Sequence, residues 1–380
     1  MTPRVALVHD WLTTRGGAER LLESLLGLYP QAVVHTLVYA PQPFRGTRLE
    51  GREVRTSFLQ QIPGSKTHYR WLLPLMPLAV EQFDMRGFDI VISLSNAVAH
   101  GVLLRPDQLH INYVFTPMRY VWPLYQEYLE VTGLARGIRS VGFRWAAHYL
   151  RLWDLAAAQR VDEFVAISKW VARRVWRAYR REAQVLYPPA DVERFKPLAE
   201  RSTYYLTVSR LVPYKRIDLL VEAFGRIGRA LLVVGTGPEA DRLARRAKPN
   251  VQILGRVDDD KLAELYGKAR AFIYAAEEDF GIAPVEAQAA GCPVIAYSRG
   301  GVWESVIEGE TGLCFSSQTV EAVVRAVEEF EGRAGEFQPE RIRQNALRFS
   351  HARFEREFTS FVERAWEGFR DDERRHGQNG

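Results

Sequence analysis

Cysteine is nearly missing from this chain: Cys292 and Cys314 are the only two in 380 residues. With no metal-ligand spacing and no partner histidine cluster around them, they exclude a disulfide scaffold and fit a reducing compartment, as small core residues. Long apolar runs are missing too. The longest, Trp71 to Val80, is about half of a bilayer span and is interrupted by Pro74 and Pro77. Met1 to Val8 runs into a strand pattern without the charged and apolar stretches of a secretory leader. Repeats of solenoid or propeller period are absent, and the 19 prolines and 28 glycines are scattered, so no low-complexity segment is present. The expectation is a cytoplasmic protein. What remains is ordinary globular composition, 47% hydrophobic and 26% charged, in a length that implies two domains.

Charge is unevenly placed. The net is only +5, yet Arg136, Arg139, Arg144, Arg151 and Arg160 are followed by Lys169, Arg173, Arg174, Arg177, Arg180 and Arg181 with few acids between them. Trp145, Trp153, Trp170, Trp176 and Tyr179 interleave with these cations. Solvated helix faces over a core of tryptophans account for such a pattern. The sharper reading is attraction to an anionic membrane, a peripheral contact at the inner face of the cell membrane, or to a lipid-phosphate acceptor. No recognition motif accompanies the charge, so nucleic acid is not an expected partner.

Strand and helix patterns alternate, which predicts an α/β fold with parallel sheets. Strands are expected at Val5–His9, Ala32–Tyr39, Asp89–Ser93, Leu109–Phe115 and Glu163–Ile167, with a helix over Ala18–Leu28 and another over Lys169–Arg180. Tyr187-Pro-Pro-Ala-Asp191 breaks the alternation, because consecutive prolines neither continue a helix nor donate to a sheet. The reading is one domain over 1–190, a second over 191–350, and a helix and tail over 351–380 that returns toward the first. The second domain repeats the pattern: strands Tyr204–Val208, Ala230–Val234, Val251–Leu254, Ala271–Ala275 and Pro293–Tyr297, with helices Ile217–Ile227, Glu239–Ala247, Lys261–Arg270 and Ala287–Ala290. Two doubly wound domains facing each other across a cleft would bind ligand at the carboxyl ends of their strands.

Three segments carry candidate chemistry. Glu278-Asp-Phe280-Gly281-Ile282-Ala-Pro-Val-Glu286 follows an apolar strand and opens a short helix. Its glycine permits close backbone approach, and its two carboxylates suit hydroxyls at opposite ends of an extended ligand. Ser209-Arg210-Leu-Val-Pro-Tyr-Lys215 leaves the preceding strand at the same sheet edge. Two cations there can neutralise a diphosphate and carry leaving-group charge without a metal. Gly16-Gly17 precedes the first helix, with Glu19 just inside it; a helix start open to an anion and a tight turn needing positive φ both fit. No G-x-G-x-x-G is present, and Gly235-Thr-Gly237-Pro238 lacks the third glycine. Asp258-Asp-Asp260 precedes a helix, where acids cap free amides, and is read as a cap and not as a metal site.

With these motifs assembled, the chain resembles glycosyltransferase family 4, of the GT-B fold, and is similar to the bacterial GDP-mannose-dependent mannosyltransferases of O-antigen and exopolysaccharide assembly. The resemblance rests on His9-Asp-Trp-Leu, Gly16-Gly-Ala-Glu19, Thr116-Pro-Met-Arg119-Tyr120, Ala166-Ile-Ser168-Lys169, Tyr187-Pro-Pro-Ala-Asp191, Ser209–Lys215, Gly235–Pro238, Leu254-Gly-Arg256-Val257 and Glu278–Glu286, in order along nearly the whole chain. It implies a metal-independent, retaining hexosyltransferase with no cofactor beyond a nucleotide-sugar donor, acting on a glycan or lipid-linked glycan. Arg210, Lys215 and Glu278 would form the catalytic set, the cations on the donor diphosphate and Glu278 on the transferred sugar. Ser209, Gly237, Phe280, Gly281 and Ile282 would line the donor, Glu286 would bind the ribose, Arg256 and Val257 the base, and Gly16 and Gly17 would approach the phosphates. Phe115, Arg119, Tyr120, Ser168 and Lys169 would lie on the acceptor side.

One position departs from the pattern. The family commonly carries a histidine just before Thr116-Pro-Met-Arg-Tyr, and here that residue is Phe115. Either His110 or His9 substitutes, or the acceptor geometry differs, or activity is lost, since a phenyl ring relays no proton. Alternative readings are a GT-B sugar-nucleotide epimerase or phosphorylase, or an inactive nucleotide-sugar-binding protein.

Overall fold

The strands Val5–His9, Ile90–Ser95 and Leu109–Val114 of the first domain are short, wholly buried runs, the pattern of a parallel sheet covered on both faces. The computed structural model describes residues 3–122, 125, 126, 129 and 138–377; Arg136 and the Arg139 side chain of the basic run lie outside that description. The chain divides into two units, residues 1–186 with 355–380, and residues 187–354.

In the first unit seven parallel strands, β1 (Val5–His9), β2 (Val33–Thr36), β3 (Val54–Thr56), β4 (Ile90–Ser95), β5 (Leu109–Val114), β6 (Glu163–Ala166) and β7 (Gln184–Val185), lie in the order β3-β2-β1-β4-β5-β6-β7. Its helices are α1 (Gly17–Leu28), α2 (Ser65–His68), α3 (Met76–Glu81), α4 (Ile138–Ala158) and α5 (Lys169–Tyr179). One core cluster joins Ala6 and Val8 of β1 to Met76 and Val80 of α3 and to Ala147 and Leu150 of α4. The segment after residue 354 adds to this unit: Phe358 packs its ring 6.2 Å from that of the fully buried Tyr113 on β5.

The second unit holds six parallel strands, β8 (Tyr205–Val208), β9 (Leu231–Val234), β10 (Val251–Gly255), β11 (Ala271–Tyr274), β12 (Val294–Tyr297) and β13 (Gly312–Phe315), in the order β10-β9-β8-β11-β12-β13. Their helices are α6 (Ile217–Ile227), α7 (Ala240–Arg246), α8 (Asp259–Lys268), α9 (Ile282–Ala289), α10 (Val320–Arg333) and α11 (Pro339–Leu347), and α12 (His351–Gly377) follows. Residue Tyr205 of β8 pairs with Leu231 of β9 on one side and Ala271 of β11 on the other.

Strand order reverses between β1 and β4 in the first sheet and between β8 and β11 in the second. At such a reversal the outgoing loops diverge to opposite faces and leave a crevice at the carboxyl ends. The loops at the second reversal are those that carry Arg210–Lys215 and Glu278–Gly281.

Two assignments from sequence are corrected. Helix α9 begins at Ile282, not after Glu286, because Pro284 sits in its first turn, where the missing N–H costs nothing. The acids of Asp258-Asp-Asp260 are partly inside α8: Asp258 is the cap, accepting from the Lys261 N–H at 2.7 Å, and the helix starts at Asp259.

Candidate functional site

The loop after β8 is seated by backbone contact. Ser209 N–H donates to the Val234 carbonyl at 3.0 Å, and Leu211 N–H to the Thr236 carbonyl at 2.9 Å. Gly235, at φ +140°, and Gly237 make this approach possible, since a Cβ on either would collide with the Ser209 or Leu211 carbonyl. Gly235 N–H also reaches the Gly255 carbonyl at 2.8 Å, so the turn before Arg256 and Val257 joins the same edge. Arg256 is exposed and Val257 half-buried.

Lys215 ends a short 3₁₀ turn, Pro213–Lys215, and the next residue, Arg216, adopts a left-handed φ of +53° before α6 begins. A non-glycine residue there carries strain of order 1 kcal/mol. The turn directs Lys215 onto Glu278, with which it forms an ion pair; both side chains are largely buried. Lys215 Nζ also donates to the Tyr274 hydroxyl at 3.1 Å, and that hydroxyl donates to Glu278 Oε1 at 3.3 Å. Tyr274 closes β11, so the three groups span the strand reversal between β8 and β11. Arg210, on the same loop, is exposed and makes no ion pair among the described residues.

Glu278 is held by the backbone that follows β12. Gly301 N–H donates to the Glu278 carbonyl at 2.7 Å, and Gly300 pairs with Glu278 as an isolated parallel bridge. Phe280 is buried, its ring 5.7 Å from Tyr187 and 5.4 Å from Phe349. It anchors the loop through its ring and leaves its backbone at the edge. Gly281 takes φ +88° and caps α9, and Ile282 is the first residue of that helix. Glu286, one turn inside α9, is buried and accepts from the Tyr266 hydroxyl at 3.3 Å. Burial, reinforced by the Glu286 charge, holds that phenol far above its ordinary range, so it acts as a donor to the carboxylate.

At the first reversal, Gly16 is the N-cap of α1 with φ −144°, and neither Gly16 nor Gly17 has a positive φ, so the tight-turn reading falls. Gly16 N–H donates to Glu19 Oε2 at 2.8 Å; burial raises the Glu19 carboxyl to about 7, against the pull of the amides that hold it. The carboxylate of Glu19 thus meets amides at the helix start that the sequence reading left open to an anion. Asp10, from the His9-Asp-Trp-Leu segment, lies at this same reversal. It is fully buried and accepts the N–H groups of Asn96, Ala97, Val98 and Ala99 at 2.5, 2.9, 2.7 and 2.7 Å, tying the loop after β4 to the end of β1. Burial raises its carboxyl above the usual range, against the pull of the Asn96, Val98 and Ala99 amides and of His100.

Phe115 is buried just past β5, its ring 5.7 Å from Tyr113. His110 does not replace a histidine there. It lies five residues earlier, near the opposite end of β5, fully buried and 2.9 Å from Ser93 Oγ; five residues of strand span roughly 16 Å. Burial, and then the nearby His100 and Arg160 charges, lower its pKa to about 3. His9 ends β1 and is held neutral by burial, with a pKa of about 4. Arg119 and Tyr120 are half-buried, Ser168 caps α5 by accepting from the Val171 N–H at 3.1 Å, and Lys169 is exposed beside it.

Sequence reasoning missed Tyr274, Tyr266 and the Gly300–Gly301 pair. The glycine pair after an apolar strand carried the same signal as Gly16-Gly17; the two tyrosines carried none, because only the sheet brings them to Lys215 and Glu286.

Residues 190–348 match the family described as Glycosyl transferases group 1. The chain is 33% identical over 201 residues to the GDP-mannose-dependent alpha-(1-6)-phosphatidylinositol monomannoside mannosyltransferase of Mycobacterium tuberculosis, covering 44% of this chain and 52% of that one. It is 29% identical over 185 residues to the glycogen synthase of Xanthomonas axonopodis pv. citri, covering 46% and 37%. The match thus spans about half the length of such curated relatives, or less. Among solved structures, Anabaena HepE in complex with UDP aligns with TM-score 0.69 at 17% identity, over 95% of this chain and 99% of that one. The sucrose-phosphate synthase of Thermosynechococcus elongatus aligns with TM-score 0.72 at 18% identity, over 96% and 100%. The two parallel-sheet, Rossmann-like domains are those of the GT-B fold, and the match to the group 1 glycosyltransferases lies in the second of them.

Proposed function

We propose that the protein is a retaining glycosyltransferase that moves a hexose, mannose from GDP-mannose, to a glycan or lipid-linked glycan in the cytoplasm, without a metal. The observation that carries this reading is the Lys215–Tyr274–Glu278 cluster at the strand reversal of the second domain, with the Arg210 guanidinium on the same loop. A donor diphosphate reaching Lys215 competes with Glu278 for the ammonium. The ion pair then parts, leaving two cations for the diphosphate and a carboxylate for the sugar hydroxyls, the carboxylate held by the Tyr274 hydroxyl and the Glu278 backbone carbonyl by the Gly301 amide. Arg210 and Lys215 supply in fixed positions the positive charge that the leaving phosphate needs. Glu286, Arg256 and Val257 serve the nucleoside, and Ser209, Gly237 and the Phe280–Ile282 backbone the phosphates and sugar. Gly16 and Gly17, from the first domain, serve the phosphates, and Phe115, Arg119, Tyr120, Ser168 and Lys169 the acceptor.

Mannose is favoured by the relatives whose names specify GDP-mannose dependence. HepE structures with UDP and UDP-glucose make a uridine donor the competing choice. Thermal stabilisation by GDP-mannose and UDP-glucose, each with EDTA present, decides between them: a donor at about 100 times its Kd adds about 2.7 kcal/mol. A shift with UDP-glucose alone discards mannose. No shift with any nucleotide sugar, and no transfer, overturns the transferase reading.

A further inference from the structure

Helix α4 buries one face and leaves another apolar face in solvent. Ala147, Leu150 and Asp154 turn inward. Val141, Trp145, Tyr149, Leu152 and Leu155 are exposed, Trp145 by 76%. Their spacing of three and four residues places them on one stripe of about 120°, running roughly 21 Å along the helix. Single exposed apolar side chains are ordinary, but five in register on one helix are an unpartnered face.

The exposed charged side chain of the helix itself is basic, and Glu81 of α3 stands at the stripe's other edge, accepting from the Trp153 indole N–H at 2.8 Å. Arg144 is exposed on the flank of the stripe, and the His148 imidazole is exposed within it. Asp154 is the helix's only carboxylate, and it is withdrawn into the core, where it accepts from the Trp122 indole N–H at 2.6 Å and the Tyr179 hydroxyl at 2.8 Å and lies 3.2 Å from His100 Nε2. The adjacent α5 presents Arg173 and Arg177, and Arg180 lies over the exposed Trp176 ring at 4.3 Å. Residues 57–80 contain no acid and pack on the same core cluster, and within them Trp71 is 83% exposed with Lys66 and Arg70 nearby in sequence.

We infer that the outer face of α4 docks on an anionic phospholipid surface. Tryptophan and leucine side chains enter the headgroup boundary while arginines pair with lipid phosphates, the arrangement of a helix lying in the interface plane. Among the described residues no helix is long and apolar enough to cross a bilayer, so the contact is peripheral. A second copy of the chain fits this face poorly, since it would set the same arginines against one another. The inference stands apart from the proposed chemistry and holds whichever sugar is moved.

Flotation of the full chain with vesicles of phosphatidylglycerol and phosphatidylcholine in equal parts, against phosphatidylcholine alone, tests it. The expected result is binding to the anionic vesicles that weakens as salt rises. In the double variant Trp145→Glu/Leu152→Glu the partition coefficient falls at least about tenfold, with melting temperature and donor-induced stabilisation unchanged, because both positions are exposed and outside the proposed donor site. Arg144→Glu, which leaves the apolar stripe intact, lowers binding at low salt. Three results overturn the inference: no flotation of the wild type at low salt, equal flotation of the double variant, or a wild-type dimer in solution that the double variant dissolves.

Discussion

Gly301→Ala tests whether the Glu278 loop owes its position to the backbone behind it. A Cβ at residue 301 would lie 2.6 Å from the Asp279 carbonyl carbon and 2.8 Å from the Phe280 Cα, where ordinary contact begins at 3.4 Å. Its obstruction is backbone, so rotamer changes give no relief and the 278–280 segment must retreat by about 0.8 Å; misplacement on that scale costs on the order of 10²-fold in rate. The expected loss in kcat/KM is therefore about a hundredfold, or about 2.7 kcal/mol of transition-state stabilisation. Stability should fall by about 1–3 kcal/mol, the range for an overpacked interior. Gly332→Ala is the matched control. It lies in α10 of the same domain with nothing within 4 Å of its would-be Cβ. It should leave transfer unchanged and raise helix stability by up to about 1 kcal/mol. Initial rates with GDP-mannose, donor affinity by calorimetry and melting curves report all three quantities. A Gly301→Ala protein with wild-type kcat/KM and melting temperature would refute the claim that the glycine pair positions Glu278.

Lys215→Met and Glu278→Gln should each lower transfer by about 10²–10³-fold with the domain still folded, the scale of removing one charge-stabilising group; full activity in both sinks the site. Asp10→Asn keeps the shape but sets an NH₂ against amide donors, and urea unfolding should show a loss of about 3 kcal/mol; a change below about 0.5 kcal/mol contradicts the structural role. Glu19 binds its proton more tightly folded, at about 7, than unfolded, at 4.5. Its contribution is therefore most favourable below pH 4.5 and is lost as pH rises to about 7, by up to about 3 kcal/mol. Glu19→Gln removes that slope, and the wild-type-minus-variant stability difference against pH isolates it from the buried His9, His35 and His110, whose lowered pKa values act in the opposite direction. A flat difference curve between pH 4.5 and 7 rejects the assignment.

Much of this architecture was legible because its signals are local. Helix α6 was read at its full extent from an apolar periodicity ending at Gly228, which takes the left-handed conformation that stops it. Asp258 announced itself as a cap by standing directly before a helical pattern. Strands β3, β7 and β13 went unread: they run two to four residues, and β13 opens on a glycine, too little pattern for period-two reasoning. At the candidate site the cations and carboxylates were visible as loop motifs, but the hydroxyl of Tyr274 between them was not. Its role depends on β11 lying beside β8, which no spacing within either segment encodes. His110 is the instructive error. Proximity in sequence to Phe115 suggested a substitute, yet along an extended strand five residues carry a side chain to the far end of the sheet.

The tilted ring contact of Phe358 with Tyr113 ties residues 245 positions apart in the chain into one aromatic core. As the polypeptide leaves the ribosome, the second domain has all its strands in hand before the first receives its closing segment. Maturation of the two lobes should accordingly run against their order of synthesis, with the amino-terminal sheet dependent on α12 long after its own strands have emerged. A chain cut at residue 350 would keep the whole of the second sheet and expose Tyr113 in the first, turning a distant deletion into a lesion of the amino-terminal core.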